Sequence, residues 1–133
     1  MGERVSKVIA IIDDEPEMEG IYSMMLAPFI DKKLLKLNFF SDSKQFLRWF
    51  QSEKIDLILS DINMPGISGI ELCQIIKSQG CRTPIYLISG YEPTEYKSIM
   101  HECGIKKFLS KPFDFQKLQV LIESELGLTA LYT

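Results

Sequence analysis

The sequence predicts an α/β domain, a parallel sheet covered on both faces by helices. Short runs rich in β-branched and apolar residues alternate with segments of helical periodicity, and five such β/α units fit into 133 residues of which 46% are hydrophobic. Right-handed crossovers then make the sheet doubly wound, although strand order is not legible in the pattern.

The predicted strands are Lys7 to Ile12, Leu34 to Phe40, Ile55 to Ser60, Pro84 to Ser89 and Lys106 to Leu109. In the first predicted helix Met18, Ile21, Tyr22 and Met25 recur at helical spacing, with Pro16 near its start and Pro28 at its end. The second runs from Ser43, read as the N-cap, to Glu53, with Phe46, Leu47 and Phe50 inward. The third carries Leu72, Cys73 and Ile76 and stops at Gly80; the fourth begins near Pro93-Thr94, carries Tyr96, Ile99, Met100 and Cys103, and is capped by Gly104. The fifth, Asp114 to Leu126, turns Phe115, Leu118, Leu121, Ile122 and Leu126 inward and ends at Gly127. One domain is expected over residues 1–133, with its core at about 7–127 and no output domain in this chain.

Charge excludes several classes of function. A formal net charge of −3 without any Lys/Arg block gives no surface for nucleic acid or membrane. The apolar run Val8 to Ile12 ends in Asp13-Asp14-Glu15, so it is neither a leader nor a span, and a cytoplasmic location is expected. Cys73, Cys81 and Cys103 have no metal-ligand spacing; Cys73 reads as core. His101 reads as a surface residue.

Ligands of open α/β sheets bind beyond the carboxyl ends of the strands. Those ends carry Asp13 and Asp14, Asp61, Ser89 before Gly90, and Lys111 before Pro112. Two unit charges about 4 Å apart at an effective dielectric of ~20 cost ~4 kcal/mol, so three converging carboxylates need a cation. Lys111 supplies one charge, and a hard divalent ion bound by oxygens supplies the rest: Mg²⁺, with Mn²⁺ able to substitute. A carboxylate beside such an ion, a hydroxyl and a lysine is suited to accepting a phosphoryl group. Asp61 is then the nucleophile, Asp14 and Asp61 direct ligands, Asp13 a ligand through water, and the Asn63 carbonyl a further ligand. Ser89 and Lys111 each meet a phosphoryl oxygen. Taken singly, Asp61 reads as a cap or turn residue, Asp13-Asp14 as a solvated turn and Lys111-Pro112 as a loop. Their conjunction at four strand ends is what a set of unrelated turns does not explain.

With IAIIDDEP, LILSDINMPGISGIEL, PIYLISG and CGIKKFLSKPF in this order, the chain from about Lys7 to Leu126 resembles a receiver domain of the response regulators of two-component systems. The resemblance implies a flavodoxin-like fold with strand order 2-1-3-4-5 and Mg²⁺ as cofactor. It also implies a sensor histidine kinase or histidine phosphotransfer protein as phosphodonor, and a cis Lys111-Pro112 bond. It further implies a switch in which Ser89 moves toward the phosphoryl group and Phe108 turns inward. This would alter the surface of the fourth predicted helix, fifth strand and fifth helix, and leaves room for a phosphorylation-dependent homodimer. Asn63 and Tyr91 stand where the family tunes dephosphorylation, and bulky Tyr91 predicts slow loss. The expected activity is self-phosphorylation and autodephosphorylation, not enzymatic turnover. A degenerate receiver that acts only as a protein-binding module is the alternative. An aspartyl-phosphate hydrolase is disfavoured by Asn63 in place of a second acid, and a flavodoxin-type carrier by the acids after the first strand.

Overall fold

The computed structural model describes residues 6–90, 96–112 and 114–128. Its five strands are β1 (Lys7–Ile12), β2 (Leu35–Phe40), β3 (Leu57–Asp61), β4 (Ile85–Ser89) and β5 (Lys107–Ser110), all parallel in the order β2-β1-β3-β4-β5. The helical segments between them are α1 (Met18–Met25), α2 (Ala27–Asp31), α3 (Ser43–Phe50), α4 (Gly69–Ser78), α5 (Tyr96–Cys103) and α6 (Phe115–Leu126). The predicted flavodoxin-like α/β architecture is the one observed.

Strand side chains alternate between two half-cores, as the pleat requires. Ala10, Ile12, Ile58, Ile85 and Leu87 face α3, α4 and α5, where Phe46, Leu72, Ile76 and Cys103 meet them. Ile9, Ile11, Leu57, Leu59, Tyr86 and Ile88 face α1, α2 and α6, where Tyr22, Leu26, Phe29, Leu118 and Ile122 meet them. Burial on both faces explains why β3 and β4 are buried at every position. None of the described helices is long and apolar enough to cross a membrane.

Several boundaries differ from expectation, each for a local reason. The first helix ends at Met25, and Pro28 lies in the first turn of α2, a short second helix that the sequence did not announce. Neither α1 nor α2 has an N-terminal side-chain cap. Full burial of Leu26 and Phe29 holds them down instead; each such side chain contributes about 1.5–3 kcal/mol, more than the ~1 kcal/mol of a cap. Asp42, not Ser43, caps α3, its carboxylate accepting from the Gln45 N–H at 2.8 Å, while buried Ser43 donates to the Ile67 carbonyl at 3.0 Å. The third strand begins at Leu57 because Asp56 turns its side chain back to accept from the Val8 N–H at 2.8 Å. Phe115, expected inside, is 43% exposed, and Ile21 of the first helical repeat is 37% exposed. His101 is exposed and Cys73 buried, as read. Pro93, Thr94 and Tyr91, and the side chains of Tyr96, Ile99 and Met100, lie outside the described residues.

On the α6 face, the Tyr86 hydroxyl donates to Glu125 Oε1 at 2.6 Å and Lys106 Nζ to Oε2 at 2.9 Å. Burial opposes ionisation of Glu125, but these two donors outweigh it and hold the carboxyl below its usual value of 4.5. A depressed folded-state pKa contributes stability that is present above the unfolded value and is lost as pH falls through the folded one. Glu125→Gln is therefore expected to cost about 1–2 kcal/mol at pH 7. Its cost should shrink as pH falls below 4.5 and through the depressed folded-state value, with denaturant titrations at pH 7 and at strongly acid pH as the check.

Candidate phosphoacceptor site

Parallel pairing brings the strand ends to one rim. Ile12 pairs with Ser60, Asp61 with Ile88, and Ser89 with Ser110, so the residues that leave β1, β3, β4 and β5 emerge side by side. Asp13 follows β1 and is 2% exposed; Asp61 closes β3 at 6% and Ser89 closes β4 at 1%. Lys111 lies just beyond β5, its N–H donating to the Ser89 carbonyl at 2.7 Å, and its peptide bond to Pro112 is cis.

Lys111 Nζ stands 3.0 Å from Asp61 Oδ2 and 3.9 Å from Asp13 Oδ2, so a single cation spans two buried carboxylates. Asn63, exposed in the loop after β3, donates from Nδ2 to Ser89 Oγ at 3.4 Å. Carboxylate oxygens of Asp13, Asp14 and Glu15 lie within 4.8 Å of one another. Asp61 is not part of that cluster; its link to Asp13 runs through Lys111. Phe108 on β5 is half-buried, pairs in register with Leu87 and packs against the α3–α5 half-core. Tyr91 lies outside the described residues.

The electrostatics follow from burial. Asp13 is pushed up to about 6 by desolvation, against the Glu15 N–H at 2.9 Å and the Lys111 charge, and with Asp61 and Glu15 adding repulsion. Desolvation likewise raises Asp61, and its bond to Lys111 only partly offsets this. Burial works against the Lys111 ammonium, but Asp61 and Asp13 together hold its pKa above the ordinary value. The site carries more negative charge than one lysine balances. Its donors are hard carboxylate oxygens clustered at one end, so the residues present fit a hard divalent cation such as Mg²⁺.

Three contributors were not anticipated from the sequence. Glu15 joins the carboxylate cluster. Tyr22 is fully buried, and its phenol, raised mainly by burial, also feels the charges of Asp13, Asp61 and Glu15. Gly69 opens α4 with its N–H on the Ile62 carbonyl at 2.9 Å, and a Cβ there would fall 2.2 Å from the Asp61 carbonyl oxygen. A readable signal existed for Gly69, because Ser68 and Glu71 form a capping box that fixes the helix start.

The family model described as response regulator receiver domain matches residues 9–123. The chain belongs to this family. The receiver domain is 30% identical over 118 residues to the transcriptional regulatory protein FixJ of Bradyrhizobium diazoefficiens, covering 89% of this chain and 56% of FixJ. It is 27% identical to the regulatory protein AtoC of Escherichia coli, covering 92% of this chain and 26% of AtoC. The chain thus spans about half or less of these curated relatives. Among solved structures, the signal receiver domain of an HD domain-containing protein from Pseudomonas fluorescens superposes with a TM-score of 0.81 at 25% identity, covering 92% of this chain and 95% of that one. A CheY-like receiver domain from Methanospirillum hungatei superposes at 0.80 with 20% identity, covering 96% and 99%, and shows the fold alone. Receiver domains of this family undergo only self-phosphorylation and dephosphorylation and are not turnover enzymes.

Proposed function

We propose that this receiver domain accepts a phosphoryl group on Asp61 from a phosphohistidine and passes the change to its α5–β5–α6 surface. The observation that carries the reading is Lys111 Nζ, 3.0 Å from Asp61 and 3.9 Å from Asp13, on a rim shared with the Ser89 hydroxyl. An Asp61 oxygen attacks phosphorus, the P–N bond breaks, and the electron pair leaves with the imidazole. Lys111 and the Ser89 hydroxyl then neutralise charge on separate phosphoryl oxygens. Asp13, Asp14 and Asp61, with the Asn63 carbonyl and Glu15 as further oxygen donors, would hold Mg²⁺, which when bound neutralises phosphoryl and carboxylate charge. Mn²⁺ would substitute.

The phosphodonor is a sensor histidine kinase or a histidine phosphotransfer protein, as family membership implies. Its docking surface is the exposed apolar strip of Ile21, Met24 and Phe115, 37%, 78% and 43% exposed, beside Lys111 and Pro112. Met24→Glu is expected to slow transfer from such a donor tenfold or more while leaving uptake from acetyl phosphate unchanged. Equal slowing with both donors would place Met24 in the fold rather than the interface.

Transmission starts from Ser89 and Phe108, since Phe108 lies on β5 next to Leu87, three residues along the extended chain from Lys111. One of the solved neighbours, at 24% identity, is a receiver domain activated by beryllofluoride. The same mimic tests the switch here: with Mg²⁺ it should shift backbone amide resonances of Ser89, Phe108 and α5, and Asp61→Asn should abolish the shifts. Shifts confined to the rim, with α5 and β5 unmoved, would favour a domain that binds partners without switching.

A further inference from the structure

A second reactive pair lies away from the rim, between α4 and α5. Cys73, in the middle of α4, is 1% exposed, and Cys103, the last residue of α5, is 8% exposed. Both are free thiols. Cys73 Sγ lies 3.5 Å from the Cys103 carbonyl oxygen, thirty residues along the chain, so α4 and the end of α5 meet at these two residues. Their surroundings are apolar, with Leu72, Ile76, Ile85 and Ile105 in the same half-core. Both cysteines thus belong to one buried apolar cluster, on the two helices that bracket it.

We propose that Cys73 and Cys103 are a reversible disulfide site, oxidised by a low-molecular-weight disulfide, which staples α4 to α5. The bond would join the two arms of the rim. α4 begins at Gly69, seated on the Asp61 carbonyl, and α5 leads through Ile105 into β5 and on to Lys111. A staple between these helices therefore restrains the segment after the phosphoacceptor relative to the segment before the lysine.

The order of events follows from burial. Desolvation pushes the Cys73 thiol up to about 12, so it is protonated at neutral pH and a poor first nucleophile. Cys103, nearer the surface at the helix end, attacks one sulfur of the oxidant, giving up its proton as the new S–S bond forms, and one small thiol leaves. Cys73 then gives up its proton and attacks the Cys103 sulfur, releasing the second small thiol. Two protein thiols lose two hydrogens and two electrons, and the small disulfide gains them. Cys81, half-buried and packed against the same half-core, is the competing thiol.

The test uses the full chain and its Cys81→Ser variant. Each is incubated with oxidised glutathione, quenched with iodoacetamide, and examined by intact mass and peptide mapping. The expected result in both proteins is loss of two hydrogens, a peptide containing Cys73 joined to one containing Cys103, and reversal by dithiothreitol. The oxidised protein should also unfold at higher denaturant concentration than the reduced one. Glutathione retained on Cys81 alone, with Cys73 and Cys103 alkylated only after unfolding, would overturn the proposal. So would a joined product that unfolds more easily than the reduced protein, because the bond would then form only by displacing a helix.

Discussion

Gly69→Ala is expected to destabilise the domain by about 1–3 kcal/mol, the usual cost of forcing extra volume into a packed site. It should also lower phosphoryl uptake on Asp61 by about 100-fold. The added Cβ would lie 2.2 Å from the Asp61 carbonyl oxygen and 3.0 Å from both the Asp61 carbonyl carbon and the Ile62 Cα. All three are backbone atoms and cannot rotate aside, so either α4 or the end of β3 must move. Misplacing a reacting group by about 1 Å costs on the order of 100-fold in rate. Gly20 is the matched control: it lies within α1 with nothing within 4 Å of its would-be Cβ. Gly20→Ala should raise stability by about 0.5–1 kcal/mol through the helix propensity of alanine and leave uptake unchanged. Denaturant unfolding and acetyl phosphate kinetics on both variants check the pair. Equal stability and uptake for Gly69→Ala would show that the helix start yields freely.

Asp13→Asn should separate folding from chemistry. Burial holds the Asp13 carboxyl at about 6 in the folded domain against 3.8 ordinarily. A buried acid whose folded pKa stands above its unfolded value costs stability once ionised, here about 2–3 kcal/mol at pH 7. Asparagine removes that charge and retains an oxygen for the Glu15 N–H, but forfeits the attraction to Lys111, 3.9 Å away. The net expectation without divalent cation is a gain of about 1–2 kcal/mol. With Mg²⁺ the order should reverse its meaning: the native chain gains stability on titration with the ion and the variant gains much less, and uptake from acetyl phosphate falls by about 10- to 100-fold. A variant no more stable than the native chain in chelator would show that Lys111 already balances the rim.

Much of this domain was legible in sequence because a parallel sheet turns linear spacing into spatial convergence. Asp13, Asp61, Ser89 and Lys111 are far apart in sequence, but each stands at or just beyond the carboxyl end of a parallel strand, and those ends share a rim. What was missed depends on contacts that periodicity does not encode. Pro28 reads equally as the stop of one helix or the first turn of the next, and burial of Leu26 and Phe29 decides for the second. Ser43 and Asp42 are both capping residues, and the choice rests on which side chain faces the Gln45 N–H. Phe115 has helical spacing with Leu118 and Ile122 but stays half-exposed at the helix start beside Ile21 and Met24. Glu15 follows two acids already assigned, and only the turn after β1 brings its carboxylate back to theirs.

The central claim is that Asp61 takes a phosphoryl group with the help of a divalent cation. Intact mass after incubation with acetyl phosphate, with and without Mg²⁺, on the native chain and Asp61→Asn, tests it most directly. A single Mg²⁺-dependent phosphoryl adduct on the native chain, absent from the variant, is the predicted result. No adduct on the native chain, together with no Mg²⁺ binding by titration, would contradict it and point to a receiver fold that works through protein contacts alone.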